Sequence, residues 1–143
     1  MRRSVVALGL LLAAGCADLN KPVGPSPSVV STTDVVLAVG DEVRVDALLR
    51  LAFLGVPQDS RCPLSVQCIW QGDGAAAIAY GLGMGPSHPD TLHTTLSPSA
   101  TEFAGSYRIT LLELMPYPAR PEPIPLDAYA VRLRVERLAY PPD

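Results

Sequence analysis

An all-β chain, folded as an antiparallel β-sandwich or small barrel of about seven or eight short strands, follows from three features of this sequence. Segments 107–111 and 131–135 alternate apolar and polar residues with the period of two that a half-buried strand requires. Gly, Pro, Asp and Ser break the apolar runs at short intervals, leaving little room for long helices. Proline is spread along the whole chain, 15 in 143 residues, and this excludes uninterrupted helix from much of it.

Taken in order, the strand candidates are 35–39, 42–46, 48–56, 75–80, 91–96, 107–114 and 131–136. The first two are short Val-rich runs that flank Gly40 and Asp41. Segment 41–54 has two readings, because Val43, Ala47, Leu48, Leu51 and Ala52 also fit one helical face. The alternation of Val43 and Val45 with Glu42, Arg44 and Asp46 favours strand. In 107–114 the register slips through Leu112, Glu113 and Leu114, the mark of a β-bulge. Val131, Leu133 and Val135 against Arg132, Arg134 and Glu136 form the cleanest alternation in the chain. Between these last two strands Pro116, Pro118, Pro121, Pro123 and Pro125 exclude helix and central strand. That segment is expected to be a stiff, extended crossover between sheets, in preference to a proline-rich ligand motif.

The N-terminus carries a different pattern. Arg2 and Arg3 form a positive start, residues 5–12 an apolar run, and Ala13, Ala14 and Gly15 a small-residue cleavage region before Cys16. The apolar run is shorter than the 17 to 25 residues that cross a bilayer as a helix. Leu12-Ala13-Ala14-Gly15-Cys16 resembles the lipobox of bacterial lipoproteins, with Ala13 where that family most often has Leu. The resemblance implies that residues 1–15 are a removed signal peptide and that Cys16 becomes the lipidated first residue. It implies a cell-envelope address, with the membrane as partner through the N-terminal lipid. Ala17 lacks the acidic character of the inner-membrane retention signal known from enteric bacteria, which points to the outer membrane.

Residues 16–33 hold Pro22, Pro25 and Pro27 among Ser and Thr, with no sustained apolar periodicity. They are expected to be a flexible linker, spanning roughly 20 Å as a coil, and residues 34–143 the β domain. At 48 % hydrophobic and 17 % charged, the chain is too apolar to be disordered. Without Arg2 and Arg3 the net charge moves from −3 to −5. The basic residues are scattered, so no nucleic-acid footprint is present.

With Cys16 committed to lipid, Cys62 and Cys68 remain as a pair in an oxidising compartment and are expected to form a disulfide. So local a bridge is unlike the immunoglobulin disulfide, which joins distant strands. The segment 59–72, DSRCPLSVQCIWQG, resembles the DSRCP...VxCxWxG signature of small bacterial secreted proteins and lipoproteins. The resemblance supports fold and address and implies no activity.

Asp59, Arg61, Trp70, Gln71 and Asp73 make this loop the candidate binding site, and two readings of it stand. In one, the disulfide stiffens a recognition loop with a charged pair and an aromatic anchor. In the other, Asp59 caps a turn, Arg61 pairs with a carboxylate and Trp70 covers the disulfide. A lone Trp in a small β domain is usually packing, which favours the second.

No catalytic, metal-binding or cofactor-binding set emerges. A nucleophile elbow, a zinc helix motif, an EF-hand and a phosphate loop are all missing from the sequence. Gly81, Gly83 and Gly85 precede Pro86 where an anion-binding helix would have to begin, and so read as a hairpin or loop. His88, Asp90 and His93 are expected in a solvated loop and not on a shared helical face. The leading expectation is a non-catalytic binding or structural domain whose partner is an envelope protein or small ligand. The alternatives are a protease inhibitor presenting the Cys62–Cys68 loop, then a small metal-dependent or hydrolytic enzyme.

Overall fold

A computed structural model of the chain describes residues 26–103 and 106–139. The leader, Cys16 and most of the expected linker lie outside the described residues.

Among the described residues, eight strands form two antiparallel four-stranded sheets that do not close into a barrel. The first contains β1 (Ser28–Ala38), β6 (Ala100–Phe103), β7 (Tyr107–Met115) and β8 (Ala130–Ala139), in the order β1-β8-β7-β6. The second contains β2 (Glu42–Arg44), β3 (Leu49–Asp59), β4 (Gly74–Leu82) and β5 (His88–His93), in sequence order. Inward-facing Val131, Leu133 and Ile109 of one sheet and Leu49, Leu51, Phe53 and Ile78 of the other are fully buried and form the core. The outward face of β8 carries cross-strand ion pairs: Arg132 with Glu113 at 3.0 Å and Arg134 with Asp34 at 2.8 Å. The alternation in 131–136 thus has one partner per face: the core inside, opposite charges outside.

The bulge expected in 107–114 is present, with the β7–β8 register shifting between Leu111 and Glu113. Segment 41–54 is a hairpin. Its turn is closed by Asp46, whose Oδ1 accepts the N–H groups of Leu48 and Leu49 at 2.7 and 2.8 Å. A carboxylate that captures two backbone donors in this way competes with helix and starts β3. The glycines at 81–85 close the β4–β5 hairpin, where Arg50 donates to the Gly83 and Gly85 carbonyls.

Four expectations need correction. Strand β1 begins at Ser28, inside the segment 16–33 expected to be linker. Its N-terminal half pairs with β8 from Ala139 to Arg134 yet buries neither face, so no apolar alternation announces it. Strand β6 was not foreseen, being only four residues long. His88, Pro89, Asp90 and His93 belong to a strand, not a loop; β5 is the outer strand of its sheet, where proline is tolerated. Finally, the proline-rich segment joins β7 to β8, which are adjacent in one sheet with Met115 opposite Ala130. It is a long excursion between neighbours and not a crossover between sheets.

Candidate recognition loop

The β3–β4 connection, residues 60–73, leaves the second sheet at the end where β7 stops and β8 starts. Ser28, where the described chain enters, lies at the other end of the eleven-residue β1, roughly 35 Å away at 3.3 Å per residue.

Arg61 anchors the loop. It is only 6 % exposed. Its Nε and Nη2 donate to the two Asp59 oxygens at 2.9 and 2.7 Å. Nη1 donates to the Leu114 carbonyl at 2.5 Å and Nη2 also to the Pro116 carbonyl at 2.9 Å. The guanidinium lies 5.2 Å from the centre of the Tyr117 ring. One side chain therefore ties the end of β3 to the end of β7 and to the start of the proline-rich excursion.

Asp59 also accepts the Tyr129 hydroxyl at 2.9 Å and the Arg61 backbone N–H at 3.1 Å. Burial alone would raise the Asp59 carboxyl. Hydrogen bonds from the Arg61 side chain, the Arg61 N–H and Tyr129 outweigh it and hold the carboxyl below its ordinary value. Tyr129 responds in the opposite sense: burial, then donation to a carboxylate, push its phenol up to about 12. A cavity of about 270 Å³ opens beside this cluster, with Arg120 and Glu122 among its walls. Among the described residues no buried side-chain nitrogen or oxygen lacks a partner, so the charged floor of the cavity is spent on internal bonds.

Asp73 fixes the other end of the loop, apart from the Arg61 cluster. Its Oδ2 accepts His93 Nδ1–H at 2.6 Å, and its Oδ1 accepts the N–H groups of Thr95 and Leu96 and the Thr94 hydroxyl. Burial pushes this carboxyl up, but those donors, His93 first, bring it down to about 2. Asp90 lies elsewhere, accepting the Tyr80 hydroxyl, and His88 packs against the Tyr80 and Phe103 rings. The two histidines and Asp90 are thus not gathered into one site.

The base of the loop is closed by Ser60 N–H to the Asp73 carbonyl at 2.7 Å and Cys62 N–H to the Gln71 carbonyl at 3.0 Å. Gly72 adopts φ +72°, and a Cβ there would sit 1.8 Å from the Ser60 carbonyl oxygen. Only glycine fits. Cys62 and Cys68 are bonded, with Cα atoms 6.0 Å apart, as the cysteine count required. Within the ring the chain turns back through Val66 N–H to the Pro63 carbonyl. The Leu64 and Ser65 N–H groups donate to the carbonyls of Pro118 and Ala119 on the excursion.

Of the two readings of the loop, each is right for part of it. Asp59 does cap a turn and Arg61 does pair with a carboxylate; they are framework. Trp70 does not cover the disulfide: it is 82 % exposed, and Ile69 beside it is 94 % exposed. Packing is overturned for Trp70 by this exposure, and the buried polar groups at this end of the sandwich are Arg61 and Asp73. Gln71 lies in a shallow cleft with Arg61, Thr94 and Tyr117. Leu64 and Val66 are also exposed, and neither was among the candidate residues. Their signal was available, since 62–72 contains no charged residue at all.

Comparison with protein-family models, with curated proteins and with solved structures finds no match to this chain.

Proposed function

We propose that this chain is a lipid-anchored, extracytoplasmic, non-catalytic binding domain that presents residues 64–70 to a protein partner in the bacterial cell envelope, with residence at the outer membrane. The observation that carries this reading is the near-complete exposure of Ile69 and Trp70 on a loop held at its base by Arg61 and Asp73 and tied across its tip by a disulfide. Leaving an apolar side chain in water forgoes the roughly 25 cal/mol per Å² that burial would return, so a fixed display favours association. Because the base is fastened and the disulfide ties the tip back to it, docking costs less conformational entropy than ordering a floppy loop. Tryptophan is also the residue type most often found at the energetic centre of protein interfaces.

Position supports the same reading. The tip stands at the pole opposite Ser28, so a chain tethered through Cys16 holds it away from the point of attachment. The lipid itself rests on the lipobox resemblance, and two or more acyl chains at Cys16 give stable membrane attachment.

Photocrosslinking in intact envelopes tests the reading, with a crosslinker placed at Gln67. A discrete adduct is expected from the anchored protein, lost on Trp70→Ala with Ile69→Ser and lost or changed in the mislocalised Cys16→Ser variant. An adduct that survives the Trp70 and Ile69 substitutions, in a protein of unchanged stability, refutes the tip as the docking surface.

A further inference from the structure

The fastenings of the loop are unevenly distributed. Its base is held by the Ser60–Asp73 and Cys62–Gln71 backbone bonds, and its first limb by the Leu64–Pro118 and Ser65–Ala119 bonds. Among the described residues, no hydrogen bond or ion pair reaches Gln67, Ile69 or Trp70. From Val66, which closes the turn, to Gln71, which closes the base, the second limb is attached to the domain through Cys68 alone. Cys68 is itself exposed, while Cys62 is half-buried against the framework. Neither cysteine belongs to the core cluster, which is complete without them.

From this arrangement we propose that the Cys62–Cys68 disulfide is a redox latch on the tip: an extracytoplasmic dithiol reductant opens it in the folded protein and releases residues 67–70 from their fixed display while the β domain stays intact. The proposal rests on the reading of the tip as a docking surface and adds its regulation. A thiolate of the reductant attacks the sulfur of exposed Cys68. The S–S bond breaks, and its electron pair leaves on Cys62, which takes up a proton. The second thiol of the reductant then attacks the mixed disulfide and expels Cys68 as a thiolate, which is protonated in turn. The protein gains two electrons and two protons, and the reductant departs as its own disulfide.

Each limb responds differently. The first keeps its bonds to Pro118 and Ala119, and the Arg61 cluster contains no sulfur, so the frame persists. The second loses its single attachment, and the pre-ordering that favours docking goes with it.

The full chain carrying Cys16→Ser suits the test, because Cys62 and Cys68 are then its only cysteines and Trp70 is its sole tryptophan. Dithiothreitol serves as the reductant. Two thiols per chain are expected to titrate without denaturant, and the fast component of the Trp70 fluorescence anisotropy decay should roughly double on the nanosecond scale of loop motion. Amide exchange in β3, β4, β7 and β8 should be unchanged. The Cys62→Ser, Cys68→Ser double variant should show the reduced protein's Trp70 decay with no reductant present. A bridge that yields its thiols only in denaturant overturns the latch, as does a Trp70 decay that reduction leaves unaltered. These readouts need no partner: loss of docking on Trp70→Ala concerns the tip, whereas Trp70 motion on reduction concerns the latch alone.

Discussion

Replacing Arg61 with methionine keeps an apolar stem of similar length and removes every guanidinium donor. Asp59 then remains buried with only Tyr129 and one backbone N–H, and the Leu114 and Pro116 carbonyls lose their partner. Removing one member of a buried ion pair costs about 3 to 5 kcal/mol, chiefly because the other charge stays behind without compensation. An orphaned buried carbonyl adds about 1 to 3 kcal/mol. Pro116 O is only partly buried, so water can replace the lost donor there. A destabilisation of about 4 to 8 kcal/mol is expected, a large share of the roughly 5 to 15 kcal/mol that holds a domain folded. The assay is urea unfolding at neutral pH, with the slope m checked for constancy. Converting Asp59 to Asn in the same chain removes the stranded charge, so the double variant should recover about 1 to 3 kcal/mol relative to Arg61→Met. A loss below about 1 kcal/mol for Arg61→Met, or a double variant as unstable as the two single losses added together, would refute the view that Arg61 and Asp59 act as one buried unit.

Gly72→Ala should cost about 3 to 5 kcal/mol through the collision with the Ser60 carbonyl. Gly83→Ala, at φ +52° with open space around it, should cost only about 1 to 2 kcal/mol, and thermal unfolding of both isolates the close approach from the backbone strain. Trp70→Ala combined with Ile69→Ser should leave the unfolding free energy in urea within about 0.5 kcal/mol of the parent, because both side chains stand in water; a clear loss would restore the packing reading. Asp73, held at about 2 against an ordinary 3.8, contributes stability that is complete above about pH 4 and disappears as pH falls through 2. Unfolding free energies from urea titrations between pH 5 and pH 2 should therefore fall by about 2 kcal/mol more in the parent than in Asp73→Asn, and parallel profiles would contradict this.

How far the site was legible in the sequence depended on the range of the interactions involved. Asp59 capping its own turn and Asp46 starting β3 are contacts within a few residues, and side-chain chemistry at such spacing is readable from residue types. The Cys62–Cys68 bridge followed from counting cysteines. The carbonyls of Leu114 and Pro116 lie more than fifty residues from Arg61, and Tyr129 lies 70 residues from Asp59, and nothing in local sequence announces that they meet this ion pair. The exposure of Trp70 is illegible for the same reason. Whether an apolar side chain is packed depends on which distant elements reach it, and none buries Trp70.

By itself, then, the chain determined what periodicity and covalent chemistry determine: the antiparallel β class, the bulge at Leu112, the disulfide pair and the uncharged stretch at 62–72. It determined less where no face is buried, which is why Ser28 to Thr33 reads as linker although it is strand. Only the tertiary structure decided that the proline-rich segment folds back beside the stapled loop, that Arg61 is buried as its anchor, and that Ile69 and Trp70 face water. Those outcomes turn on which distant elements arrive at the same end of the sandwich. That is settled by the pairing of β7 with β8 and the stacking of the two sheets, and local sequence preference carries no record of it.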